Sequence, residues 1–143
     1  MSNKIRYVNI AAILLLISTL SINADNQSGA KIIIIIQNPI VSCHNCQLLL
    51  DDFINNIKYN RLEKLLMGVY IPMEGRDISI QEKQIKRHLK ACGYEFPLII
   101  DYLNIMSMTR LDKYDLLIIN GDKISKYKFP LSNIDWNVIR SIG

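Results

Sequence analysis

Hydrophobic residues in the first half of the chain change their spacing twice, and each change predicts a boundary between elements. Residues 32–36 are an unbroken run of isoleucine, which is typical of a strand covered on both faces. Residues 43–58 instead repeat apolar side chains at helical spacing, namely Cys46, Leu49, Leu50, Phe53 and Ile57. Residues 65–71 return to a continuous apolar run. The pattern therefore predicts a strand, a helix and a second strand, in that order.

The polar residues of the predicted first helix are expected to face solvent, because they lie between the apolar positions. They are Gln47, Asp51, Asp52, Asn55 and Asn56. The two aspartates have no partner in the sequence that suggests paired acid–base hydrolysis, and the chain has no glycine-rich phosphate loop. These observations argue against a glycosidase or a protease.

Apolar runs alternate with helical spacing again after residue 75. The motif Ser79-x-x-Glu82 fits a capping box and predicts the start of a helix that runs to Cys92. Residues 96–100 form a third apolar run, and residues 102–110 predict a short helix.

The last 30 residues combine a hairpin signal with a helix. Asn120-Gly121 stands between two strand-like runs and predicts a type I′ turn, which needs positive φ values. Ser132-x-x-Asp135 then predicts the start of a final helix. Its inward side is expected to carry Ile134, Val138 and Ile142. The order β-α-β-α-β-(α)-β-β-α predicts an α/β fold with a mixed central sheet and helices on both faces.

The first 24 residues have the layout of an export signal. Lys4 and Arg6 precede an apolar stretch over residues 8–20, and a small residue, Ala24, ends the segment. The stretch is shorter than the ~20 residues that cross a bilayer, so a cleaved signal is favoured over a retained anchor. We therefore predict a signal peptide or N-terminal anchor over residues 1–24, a short polar linker over 25–30 and one domain over 31–143. The mature protein is expected in the periplasm or outside the cell, and in contact with a membrane only if the segment is retained.

Charge gives no reason to expect a nucleic-acid partner. The net charge is +4, and two of the 17 basic residues fall in the export segment, which has no acidic residue. One basic cluster remains at helical spacing and is interpreted as a solvated face, and it consists of Lys83, Lys86, Arg87 and Lys90. With half of its residues hydrophobic, the chain can build a core without disulfide staples.

The motif Cys43-His44-Asn45-Cys46 lies where the first predicted helix begins. A two-residue spacer at a helix start brings two sulfurs within bonding range. Free N–H groups and the helix dipole in the first turn favour an anion, so the pKa of Cys43 should fall below ~8.5. Cys46 falls on the buried stripe, which predicts an accessible nucleophile in Cys43 and a shielded resolving thiol in Cys46. His44 and Asn45 are expected to tune the reduction potential.

This pattern predicts a thiol–disulfide oxidoreductase with no cofactor beyond a redox-active Cys43–Cys46 disulfide. Its partners would be protein thiols or disulfides and a redox partner protein, and the protein is expected to act as a monomer. Three alternatives stay open at this point. The pair could be a permanent disulfide, Cys43 and Cys46 could bind copper(I) or zinc as soft ligands, or the fold could serve a redox-silent binding protein.

The arrangement of these elements resembles the thioredoxin-like superfamily, with its three α/β/α layers and its closing β-hairpin and helix. The segment Phe96-Pro97-Leu98-Ile99-Ile100-Asp101 and the turn within residues 118–124 resemble the exported TlpA/ResA-like branch. The resemblance implies an extracytoplasmic thiol–disulfide oxidoreductase with Cys43 as nucleophile and Cys46 as resolving thiol. Residues 113–115, where that branch usually carries a cis-proline, hold no proline, and Pro97 is the alternative position.

Four other residues receive structural interpretations. Cys92 is expected to be a buried small hydrophobe and His88 to face solvent. Asp101 is interpreted as a turn residue rather than a proton carrier. The single tryptophan, Trp136, is expected to pack against neighbouring side chains.

Overall fold

A computed structural model describes residues 29–37 and 43–143. The predicted export signal, most of the linker and residues 38–42 lie outside the described residues. The strands are β1 (Ala30–Ile36), β2 (Leu66–Tyr70), β3 (Leu98–Ile100), β4 (Leu116–Asn120) and β5 (Lys123–Tyr127). The helices are α1 (His44–Tyr59), α2 (Ile78–Ala91), α3 (Ile105–Met108) and α4 (Asn133–Ser141), with 3-10 turns at Glu63–Leu65 and Leu111–Lys113. No helix in this described part is long and apolar enough to cross a membrane.

The five strands form one mixed sheet in the order β3-β2-β1-β4-β5. Strands β1, β2 and β3 are parallel, whereas β4 runs antiparallel to both β1 and β5. The central strand β1 pairs through Ile34 with Gly68 on one side and Leu116 on the other. This arrangement confirms the predicted mixed sheet with a closing hairpin.

Both faces of β1 are covered, as its isoleucine run predicted. Ile32, Ile34 and Ile36 face a core to which α1, α2 and α4 contribute, and all three are fully buried. Ile33 and Ile35 face a second, smaller core with Met106 of α3 and Leu111 of the following turn. Burying each isoleucine contributes about 1.5–3 kcal/mol, so this strand anchors the whole sheet. The helix layers are unequal, with three helices on one face and one short helix with a 3-10 turn on the other.

Helix α1 forms where the apolar period predicted it, but its buried stripe is rotated. The stripe consists of Leu50, Phe53, Ile54 and Ile57, whereas Leu49 is 37% exposed. Successive helix residues differ by about 100° in direction. Because the buried stripe is centred between Leu50 and Phe53, Leu49 lies at the edge of that stripe. The expected inward position of Leu49 is therefore wrong.

The predicted start of α2 is also wrong by two residues. Asp77, not Ser79, caps the helix, and its Oδ1 accepts the N–H of Ile80 at 3.0 Å. Asp and Ser are comparable capping residues, so the local signal does not choose between them. The choice is explained by Gln81, which is buried and bonds both the N–H and the carbonyl of Met73. That contact fixes the loop and the helix start together.

Helix α4 has the predicted capping box, with both reciprocal bonds between Ser132 and Asp135. Its predicted inward side is wrong at Ile134 and Val138, which are 75% and 42% exposed, whereas Ile142 packs against the larger core as predicted. Trp136 and Ile139 face the core instead, and the Trp136 ring stacks on Phe53 at 5.5 Å between centroids. The indole buries more apolar area than an isoleucine side chain, so its packing sets the rotation of the helix.

The hairpin forms at the predicted place with a different turn. Asn120 pairs with Lys123, so the two loop residues are Gly121 and Asp122. Only Gly121 has a positive φ, at 59°. A type I′ turn needs two positive φ values, whereas glycine alone at the first loop position is the pattern of type II′.

Candidate functional site

The first turn of α1 carries both cysteines of the motif. Cys43 is the N-cap residue, with extended backbone angles, and its Sγ accepts the N–H of Cys46 at 3.4 Å. The carbonyl of Cys43 accepts the N–H of Gln47 at 3.0 Å and closes the turn. A sulfur thus takes the place that a hydroxyl or carboxylate oxygen holds at most helix starts.

The two thiols are free, and their pKa values are shifted in opposite directions. A hydrogen bond from the Cys46 thiol lowers the pKa of Cys43, and the backbone N–H groups of Cys46 and Asn45 lower it further. The same thiol–thiol bond raises the pKa of Cys46, and burial and the charges of Cys43 and Asp115 raise it as well. Cys43 is therefore the sulfur that ionises more readily.

Exposure does not separate the two sulfurs. Cys43 and Cys46 are both half-buried, so the expected shielding of Cys46 relative to Cys43 is absent. His44 and Asn45 are exposed between them. Asn45 acts on Cys43 through its backbone N–H rather than its side chain. The two cysteines therefore differ in the pKa of their thiols rather than in their exposure.

Asp115 is a site residue that the sequence did not assign. It directly precedes β4, and its carbonyl accepts the N–H of Ile35 at 2.9 Å near the end of β1. Its carboxylate Oδ2 accepts the N–H of Phe129 at 2.8 Å. The Phe129 ring lies 5.2 Å from that of Phe53, two helical turns beyond Cys46. An acid immediately before an apolar run was the available signal, but its electrostatic effect on Cys46 depends on the sheet pairing.

Residues 113–115 contain no proline, and Pro97, the alternative position for a cis-proline, does not follow a cis bond. Phe129–Pro130 is the one cis peptide bond among the described residues, so Pro97 follows a trans bond. Pro130 lines a small cavity of about 50 Å³ beside α1. Its walls are formed by Leu49, Asp52, Phe53, Phe129, Pro130, Leu131 and Trp136.

Cys92 and His88 differ from their expected environments. Both are half-buried, and the Cys92 Sγ lies 3.6 Å from the His88 Nε2. Gln47 and Asp51, expected to face solvent, lie in the same polar group together with Tyr94. Burial is the largest cause of a raised pKa at Cys92, and the charge of Asp51 adds to it. Cys92 is therefore neither a simple hydrophobe nor an activated thiol.

Asp101 and Trp136 have the structural roles expected of them. The buried carboxylate of Asp101 accepts the N–H groups of Ile105 and Met106, each at 2.8 Å, and so holds the start of α3. Trp136 packs against the larger core.

The described residues include no group of three or more His, Cys, Asp or Glu side chains that could hold a metal ion. Cys43 and Cys46 would supply two soft ligands, whereas structural zinc sites generally use four protein ligands. The described residues thus supply only these two thiols to a metal at this place.

Comparison with known proteins supports the fold. No family model and no curated protein sequence matches the chain. Among solved structures, the chain is similar to StoA from Bacillus subtilis, with a TM-score of 0.51 and 12% sequence identity. The similarity covers 82% of this chain and 84% of StoA. The mixed five-stranded sheet, its flanking helices and this structural similarity together give the chain a thioredoxin-like fold.

Proposed function

We propose that the protein is a thiol–disulfide oxidoreductase in which Cys43 is the nucleophile and Cys46 the resolving thiol. One observation carries this proposal. Cys43 caps α1, and hydrogen bonds from the Cys46 thiol and backbone lower its pKa. A thiolate is the reactive form in exchange, and it forms here at lower pH than in a free cysteine.

The first step is attack of the Cys43 thiolate on a substrate disulfide. A bond forms between the Cys43 Sγ and one substrate sulfur, and the substrate S–S bond breaks. The second substrate sulfur leaves as a thiolate and takes a proton from solvent. The product is a mixed disulfide between Cys43 and the substrate.

The second step is release by Cys46. Its thiol proton passes to the Asp115 carboxylate, whose position is fixed by the N–H of Phe129. The Cys46 thiolate then attacks the Cys43 sulfur, the mixed disulfide breaks, and the substrate leaves as a second thiolate. The enzyme is left with a Cys43–Cys46 disulfide, and a redox partner protein reduces it again. We propose Asp115 for this role because it is the carboxylate whose charge raises the pKa of Cys46.

The substrates we propose are disulfides or thiols of other proteins, handled outside the cytoplasm as in the exported TlpA/ResA-like branch. Two features support this assignment. The first resembling segment, residues 96–101, contains the edge strand β3 and the capping turn at Asp101, and the second, residues 118–124, spans the hairpin.

Stabilising the Cys43 thiolate favours the reduced form of the pair, which makes the pair more oxidising than one with an ordinary thiol.

Insulin reduction with dithiothreitol as electron donor tests the proposal. The wild type should accelerate precipitation of the insulin B chain, Cys43→Ser should abolish the acceleration, and Cys46→Ser should accumulate a mixed disulfide at Cys43. A wild type without turnover would contradict the proposal. If that inactive protein bound one equivalent of copper(I) or zinc, we would instead assign it metal handling through Cys43 and Cys46. If it bound no metal, we would instead assign it the role of a redox-silent binding protein.

A further inference from the structure

A cluster of polar side chains joins the first turns of α1 to the end of α2. We call it the Gln47 cluster, and it consists of Gln47, Asp51, His88, Cys92 and Tyr94. Gln47 and Asp51 come from α1, His88 comes from the last turn of α2, and Cys92 and Tyr94 come from the residues that follow that helix. All five are half-buried.

Gln47 is the centre of this cluster, because its amide meets each of the other four side chains. Its Oε1 lies 3.1 Å from the His88 Nε2, and its Nε2 donates to the Tyr94 hydroxyl at 2.6 Å. The same Nε2 lies 3.3 Å from Asp51 Oδ1 and 3.5 Å from Cys92 Sγ. The Tyr94 hydroxyl in turn donates to Asp51. Both ends of the amide are thus engaged, which fixes the side chain in one orientation.

The backbone of Gln47 belongs to the turn that holds the cysteines. Its N–H donates to the carbonyl of Cys43 at 3.0 Å and closes the first turn of α1. Inside that turn, the N–H of Cys46 points to the Cys43 Sγ at 3.4 Å. Helix ends fray readily, so an anchored residue at the fourth position of the helix keeps this turn formed.

We infer that Gln47 is a positioning residue for the Cys43–Cys46 pair. The inference rests on the proposed function, because it assigns Gln47 a role in setting the redox properties of that same site. By tying the first turn of α1 to α2, Gln47 holds the Cys46 N–H on the Cys43 sulfur. It thereby stabilises the Cys43 thiolate and makes the pair more oxidising.

The consequence of losing Gln47 has a definite sign. If the turn frays, the Cys43 thiolate loses hydrogen bonds that the neutral thiol needs less, so the pKa of Cys43 rises. The reduced form is then less stable relative to the disulfide, and the reduction potential becomes more negative. A residue that only supported the fold would change the unfolding midpoint and leave both quantities unchanged.

The test compares Gln47→Met with Gln84→Ala. Methionine keeps the length and volume of glutamine and removes its hydrogen bonds. Gln84 is exposed on α2, so its variant is a control for the loss of a surface amide. The ionisation of Cys43 is followed by the ¹³Cβ shift of cysteine, and the reduction potential by equilibration with glutathione. Thermal unfolding of the oxidised form shows whether each variant is folded.

Gln47→Met should retain its fold and carry at least about threefold less Cys43 thiolate at neutral pH, because the hydrogen bonds to the charged Cys43 sulfur weaken when the first turn of α1 frays. Its equilibrium with glutathione should shift toward the disulfide, while Gln84→Ala behaves as wild type. Unchanged ionisation and potential in folded Gln47→Met would overturn the inference, as would an equal change in Gln84→Ala. Both readouts are independent of turnover. A shift in Gln47→Met together with an inactive wild type would therefore refute the proposed function and leave the positioning role standing.

Discussion

At the scale of single residues, the environment of each cysteine decides its chemistry. Cys43 accepts hydrogen bonds at a helix start, and these lower its pKa. Cys92 lies at the end of a helix next to Asp51, where burial and that negative charge raise its pKa. The CxxC spacing predicted which thiols lie together at the start of α1. The neighbours of Cys92 could not be predicted, because Gln47 is 45 residues away in sequence.

The proposed proton transfer from Cys46 to Asp115 can be tested by substitution. Asparagine at position 115 can still accept the Phe129 N–H but cannot take a proton from Cys46. Asp115→Asn should therefore slow the release of a leaving group from a mixed disulfide at Cys43 by about tenfold or more at neutral pH. Single-turnover release of thionitrobenzoate measures this step. The rate in the variant should rise with pH across the neutral range, as hydroxide replaces the carboxylate.

Asp52→Asn is the matched control for this experiment. Asp52 is an exposed acid on the same helix as Cys46, so its variant removes one negative charge without touching the proposed proton path. A purely electrostatic role for Asp115 would have the opposite effect, because losing its charge lowers the pKa of Cys46 and should speed release. Equal or faster release in Asp115→Asn would exclude the proton transfer.

At the scale of elements, periodicity predicted where helices and strands lie better than which way they face. Strand β1 and helix α1 followed from an isoleucine run and a 3.6-residue period, which are local properties. The rotation of α4 followed from the packing of Trp136 on Phe53. The start of α2 followed from the buried contacts of Gln81 with the preceding loop. Both depend on tertiary contacts that no local pattern contains.

The start of α2 can be tested with two capping candidates. Asp77→Ala should lower the free energy of unfolding by about 1 kcal/mol, since the Ile80 N–H loses its acceptor. Ser79→Ala should leave it within about 0.5 kcal/mol, because Ser79 is an exposed residue inside the helix. Urea unfolding compares the two variants. A larger loss of stability in Ser79→Ala than in Asp77→Ala would show that Ser79 caps the helix, as the sequence suggested.

The orientation of α4 gives a second prediction for an element. Trp136→Ala should cost about 2 kcal/mol or more, because it removes the ring that stacks on Phe53. Ile134→Ala should change the stability by no more than about 0.5 kcal/mol, because that side chain is 75% exposed. Guanidinium unfolding measures the stability of both variants. A greater loss of stability in Ile134→Ala than in Trp136→Ala would show that the Ile134 side of α4, and not the Trp136 side, faces the core.

At the scale of the whole molecule, the sheet brings together parts of the site that are distant in sequence. The parallel strand β1 leads toward Cys43, and the antiparallel pairing of β4 with β1 places Asp115 beside Ile35. The sequence predicted the fold class and the cysteine pair, because both follow from local patterns. It could not predict the strand order, Asp115 or the Gln47 cluster, since each depends on contacts between distant segments.

The most direct test of the central claim is a pH titration of Cys43 in the reduced protein. The ¹³Cβ resonance of Cys43 is assigned by its loss in Cys43→Ser and followed from pH 4 to pH 10, a range of about six units that spans the ordinary thiol value. We predict a midpoint clearly below the ~8.5 of a free cysteine, with Cys46 titrating above it. A midpoint at or above that value, or Cys46 ionising first, would contradict the assignment of Cys43 as the nucleophile.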